Sequence, residues 1–183
     1  MSCSSGRSRR PARSRGTRRG AARRRLGQNG PVKVAAKADY AVRAMIELAG
    51  GTKKSPVPAE RIATDQEIPP RFLDPILTEL RYAGLVRGRP GAEGGYWLAQ
   101  PPEDITLAEI IGEVEGPLGS VHGQSPDELT FLGDAKPLQE VWIALRANIR
   151  EVLESVTIAD LVSGHLPEPV RRIVSDPGVW QAG

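Results

Sequence analysis

Ile68–Gly84, IPPRFLDPILTELRYAG, is the stretch on which the fold turns. Two prolines open it, which suits a helix N-terminus, where the first N–H groups have no intrahelical partner. Phe72/Leu73, Ile76/Leu77 and Leu80 recur at three- and four-residue steps and mark one buried helical face. Gly84 stops the helix in the left-handed C-terminal position. The opposite face carries Arg71, Asp74, Thr78, Glu79 and Arg81. This pattern predicts the second helix of a helix-turn-helix, the one laid in the major groove of DNA.

The chain before it fits that motif. Residues 37–49, KADYAVRAMIELA, predict an alanine-rich helix with Tyr40, Ala41, Ala44, Met45 and Leu48 on one stripe. Residues 58–63, PAERIA, predict a short helix with Pro58 in its first turn, and TDQEI turns the chain into Ile68. After it, Leu85-Val86 and Tyr96-Trp97-Leu98 read as short strands around the glycine-rich Arg87–Gly95, a β-hairpin with a long tip. A hairpin directly after a helix-turn-helix is a wing, whose glycines let backbone approach phosphate. Its G-x-x-G-x-x-G spacing lacks the Gly-Lys-Ser/Thr and the βαβ unit of a nucleotide-binding loop.

Further on, Thr106 and Glu109 form a capping-box signature for a short helix with Leu107, Ile110, Ile111 and Val114 inward. Residues 117–135 read as polar and irregular. Leu138, Trp142, Leu145, Ile149, Val152 and Val156 then step by 4, 3, 4, 3, 4, the period of paired helices. A helix of this length spans roughly 30 Å and needs a surface for its stripe, so a second copy of the same helix is the expected partner. Thr157–Leu161 continues it or starts a short helix. The expected class is mainly α with a small β-hairpin wing, a winged helix-turn-helix plus a long dimerisation helix. Its expected parts are a tail over 1–31, the winged module over 32–102, a short helix and effector-type loop over 103–135, the dimerisation helix over 136–164, and a loose tail over 165–183.

Charge is unevenly spread. Residues 1–31 carry ten arginines and no acid. Residues 33–89 hold 10 basic and 7 acidic side chains, whereas 90–183 hold 5 and 15. A basic module joined to an acidic one suits a DNA-facing half and an effector or dimer half, and equally a merely solvated acidic surface. The first segment is too poor in apolar residues to order itself. It reads as a basic phosphate-gripping arm, as an organelle transit peptide, or as a start placed upstream of the true one near Val32. Cys3 is the single cysteine, so no disulfide or thiolate site can form within one chain, which suits a reducing cytoplasm. No apolar run approaches membrane-span length. Catalysis has no support either: His122 and His165 stand far apart in the chain and no serine sits in a nucleophile elbow. An adaptor or RNA-binding role is the rival to sequence-specific DNA binding.

YAVRAMIELA, RFLDPILTELRYAGLV, GAEGGYWLAQPPEDITLAEIIGEVEG and VWIALRANIREVLESVTIADLV together resemble the Rrf-two family of bacterial winged-helix transcription factors. The resemblance runs from about Val32 to Val162. It implies a homodimeric regulator, a repressor on an imperfect palindromic operator, with a long helix crossing its mate. It implies contacts to double-stranded DNA from Pro69, Pro70, Arg71, Phe72 and Asp74 on the helix and from Arg87, Arg89 and Gly91 on the wing. A small-molecule or protein effector, or constitutive repression without one, is the expectation. Three departures stand out. Pro90 occupies the position where relatives carry an arginine before the wing glycine. Pro75 inside the helix predicts a local bend or a late helix start. The cluster-binding members' three cysteines have no counterpart over 117–135, where His122 is the one soft donor and reads as a solvent-exposed residue. No cofactor, metal or iron–sulfur cluster is therefore expected.

Overall fold

The computed structural model describes residues 35–180 together with Met1. The readings of the arginine-rich segment lie outside the described residues. Helix α1 (Ala36–Leu48) buries Ala38, Ala41, Ala44, Met45 and Leu48. Three alanines on that stripe let neighbouring helices approach closely, and α1 packs against both α3 (Pro70–Tyr82) and α4 (Leu107–Glu115). Between α1 and α3, the short α2 (Ala59–Asp65) buries Ile62. Met45, Leu48, Ile62, Leu73, Ile76, Leu77, Leu80 and Ile110 make one continuous core under the three-helix module.

The wing consists of β1 (Val86–Arg89) and β2 (Gly95–Leu98), antiparallel, with Val86 opposite Leu98 and Arg89 opposite Gly95. Its strands are longer and its tip shorter than expected: Arg87, Gly88 and Arg89 lie in the ladder and only 90–94 loop out. The hairpin is also anchored. Val57 and Tyr96 exchange both backbone hydrogen bonds at 2.8 Å, so Val57, two residues before α2, acts as a third, one-residue strand.

The capping box at Thr106 and Glu109 is formed as expected. Thr157 and Asp160 form a second one, which starts α6 (Ile158–Ser163). The two sit side by side. Leu107 N–H donates to the Val156 carbonyl at 2.9 Å, and Ile158 N–H donates to the Ile105 carbonyl at 3.0 Å. Asp160 is held below the usual carboxylate range, first by the Thr157 N–H and then by the Thr157 hydroxyl. A depressed folded-state pKa contributes stability at pH values above the unfolded one, and that contribution is lost on acidification through the folded one. The melting temperature should therefore hold down to about pH 5 and fall below about pH 4. Asp160→Asn should flatten that acid limb in a series of thermal melts.

Helix α5 (Leu138–Ser155) has no fully buried residue. It ends at Ser155, so Val156 does not continue the apolar stripe as predicted. Val156 is extended, 3% exposed and tied to the Leu107 N–H, so it belongs to the chain's own interior. The 117–135 segment is irregular apart from a single turn of 3-10 helix at Gly133–Ala135. Side chains of α5 hold it: Gln139 Nε2 donates to the Leu129 carbonyl at 2.8 Å, and Arg146 bonds Asp127 at 2.7 Å and also Ser125. The loose C-terminal tail is a second correction. Residues Glu168–Val174 form α7, with Pro169 in its first turn, where a missing N–H costs nothing. Arg172 reaches Glu151 of α5 at 3.7 Å, and Trp180 Nε1 donates to the Val174 carbonyl at 2.8 Å.

Candidate nucleic-acid interface

Helix α3 begins at Pro70, with Pro69 as its N-cap. It passes Pro75 as one helix, so the late start suggested by that proline does not occur. Pro75 is exposed. Leu73, Ile76, Leu77 and Leu80 are buried as expected. Phe72 is not: it is 45% exposed and points off the core face. Arg71, Phe72, Asp74, Thr78 and Arg81 share the outer surface. Glu79 leaves that face, because its carboxylate meets Lys37 Nζ at 2.6 Å. The same ammonium donates to the Val114 carbonyl at 2.7 Å, which ties α1, α3 and the end of α4 together.

The turn into α3 is a Schellman motif. Ile68 N–H donates to the Ala63 carbonyl at 2.9 Å and Glu67 N–H to the Thr64 carbonyl at 3.3 Å, with Glu67 left-handed at φ 51° and Ile68 buried. Arg43 clamps the turn from α1, donating to the Gln66 carbonyl at 2.5 Å and to Asp39 at 2.7 Å. Glu67→Val should lower stability by about 1–2 kcal/mol, since a β-branched side chain opposes that conformation. Glu67→Gly should match or exceed the parent in the same thermal melts.

On the wing, Arg87 and Arg89 are exposed and Gly91 is left-handed at φ 110°. Arg89 donates to the Glu93 carbonyl at 2.8 Å, so its guanidinium braces the loop while most of its N–H groups stay available. A groove of about 540 Å³ runs between the wing, Pro58–Glu60 and Arg81. The structure thus places Pro69, Pro70, Arg71, Phe72 and Asp74 on one exposed helix start, and Arg87, Arg89 and Gly91 on the hairpin. Residues missed in the sequence are Tyr40, which abuts Phe72 from α1, and Arg43, which lies over the Tyr40 ring; only their three-residue spacing hinted at a shared helix face.

The Rrf2 family model, described as an iron-dependent transcriptional regulator, matches residues 34–164. The chain belongs to the Rrf2 family. It is a transcriptional regulator with a DNA-binding fold and not an enzyme. Rv1287 of Mycobacterium tuberculosis, named as an HTH-type transcriptional regulator, is 44% identical over 145 residues, covering 79% of this chain and 90% of that protein. The solved structure of CymR, the global cysteine regulator of B. subtilis, is 36% identical with a TM-score of 0.61, covering 73% of this chain and 98% of that one. The structure of T. potens IscR is 35% identical with a TM-score of 0.59, covering 73% and 88%. No helix among the described residues is long and apolar enough to cross a membrane.

The Rrf2 description raises the question of iron. Iron–sulfur clusters are held by thiolates. The 117–135 loop contains no cysteine, and its Asp127 is engaged by Arg146 and Ser125. Ser125 and Arg146 hold the Asp127 carboxyl below the usual carboxylate range. Among the described residues, no group of three or more His, Cys, Asp or Glu side chains could hold a metal ion. This donor set does not fit an iron–sulfur cluster.

Proposed function

We propose that this Rrf2 protein is a cytoplasmic, homodimeric repressor that binds an imperfect palindromic operator without an iron–sulfur cluster. The observation that carries the reading is the start of α3, where Arg71, Phe72 and Asp74 stand exposed beside a hairpin bearing Arg87 and Arg89. Arg71 and Asp74 meet base edges in the major groove, where arginine pairs with guanine and a carboxylate accepts from cytosine N4. The proline-led helix start leaves the Arg71 N–H outside the intrahelical ladder, facing phosphate. Arg87, Arg89 and Gly91 hold the backbone from the wing and set register rather than sequence. With Pro90 in place of the arginine that relatives carry, the wing does no minor-groove reading.

The apolar stripe of α5 pairs two copies and brings two half-sites within reach, about one helical turn apart. A small molecule or protein partner, not a cluster, supplies the signal. Fluorescence anisotropy on the DNA flanking the gene, at several salt concentrations, tests the reading. Expected is a preference for one palindromic segment over scrambled duplex; equal affinity for scrambled duplex or for RNA would overturn it. Treatment with a strong iron chelator should leave that affinity unchanged, and a fall of tenfold or more would restore an iron-dependent mechanism.

A further inference from the structure

The four side chains Arg43, Tyr40, Phe72 and Arg71 form a continuous stack across the α1–α3 crossing. The Arg43 guanidinium carbon lies 5.0 Å from the Tyr40 ring centroid, the Tyr40 and Phe72 centroids are 6.0 Å apart, and the Arg71 guanidinium carbon lies 4.8 Å from the Phe72 centroid. Cations at both ends of an aromatic pair are held by the ring quadrupoles. Arg43 has little freedom, since it is bonded to Gln66 and Asp39, and its buried Nε has no hydrogen-bond partner among the described residues. Phe72 therefore rests on a fixed support, yet remains 45% exposed in the first turn of α3.

An exposed aromatic ring in that place has few rewarding contacts. Base faces are stacked inside the duplex, and phosphates give an apolar ring nothing to bind. The one apolar group on the major-groove edges of the four bases is the thymine 5-methyl. We propose that Phe72 reads a thymine methyl in each half-site, and that Tyr40 and Arg43 are positioning residues that hold its ring for that contact. This rests on the DNA-binding reading above.

The test uses the full chain and the duplex it selects from a random pool, with each thymine replaced in turn by deoxyuridine, which lacks only the methyl. Expected is a loss of about three- to fivefold at one thymine per half-site, the effect of one buried methyl. Phe72→Ala should bind the thymine and deoxyuridine duplexes equally. Tyr40→Leu should lose most of the discrimination while keeping the preference over scrambled duplex, and Tyr40→Phe should retain both. If no deoxyuridine weakens the parent while preference over scrambled duplex persists, methyl reading is overturned and operator binding stands. If Phe72→Ala still discriminates, another residue makes the contact and the assignment fails. Absence of any preference over scrambled duplex would overturn both readings together.

Discussion

The proposed dimer predicts that glutamates placed at Val141 and Leu145 will leave the protein monomeric and lower operator affinity by about 100-fold or more, the range expected when two linked contacts become one. Both side chains are apolar and exposed in the single chain, 56% for Val141 and 38% for Leu145. They lie one turn apart on the stripe of α5 that also carries Leu138, Trp142, Ile149 and Val152. None of these is fully buried, although the helix runs 18 residues. Left uncovered, such a stripe is a standing cost, which the proposed second copy would remove. Burying two carboxylates there without partners would be far worse than leaving the chains apart. The subunit itself should survive the change. Its core is built from α1 to α4 and closed by Ile158, and neither substituted residue contributes to it. Sedimentation should show the monomer with unaltered helicity, and anisotropy should show the lost affinity. A variant that stays dimeric and binds normally would place the interface elsewhere.

What could be read along the chain was what short-range chemistry dictates. The alanine stripe of α1, the Leu73–Leu80 stripe of α3 and the Thr106 capping box each depend on residues three or four apart, so spacing alone located them. Arg71 and Asp74 followed, because a helix with one face buried must expose the other. What escaped depends on contacts between distant segments. Phe72 adjoins the buried stripe, and only the crossing of α1 shows that its ring stacks outward on Tyr40. Glu79 looked like an outer residue until Lys37, far back in the chain, claimed it. Val156 kept the heptad step after the helix had ended, because its ladder bond runs to Leu107. The strands of the wing were underestimated since Arg87, Gly88 and Arg89 show no alternation of apolar and polar residues, the only local mark of a strand. Prolines hid α7, where Pro169 opens a helix instead of preventing one.

The wing's attachment yields the second large effect: Gly95→Ala should destabilise the protein by about 2–4 kcal/mol, combining a conformation nearly reserved for glycine with a broken ladder pair. Gly95 sits at φ 150°, and a Cβ there would lie 2.5 Å from the Val57 carbonyl oxygen, 2.7 Å from its carbon and 3.0 Å from Pro58 N. All three are backbone atoms, so no rotamer change relieves the contact. The strand has to retreat, and the neighbouring Val57–Tyr96 hydrogen bonds are the first to lengthen. Gly91 is the matched control. It is also left-handed, at φ 110°, but a Cβ there meets nothing within 4 Å. Gly91→Ala should therefore cost only the conformational part, about 1–2 kcal/mol. Thermal melts of the two variants separate the contributions, and equal melting temperatures would mean that Val57 does not hold the wing. On DNA, a wing released from Val57 should weaken binding by a similar factor on every sequence and reduce the salt dependence. In the proposed complex the hairpin's arginines and backbone face phosphate, which carries position but no base identity, while α3 keeps its reading face.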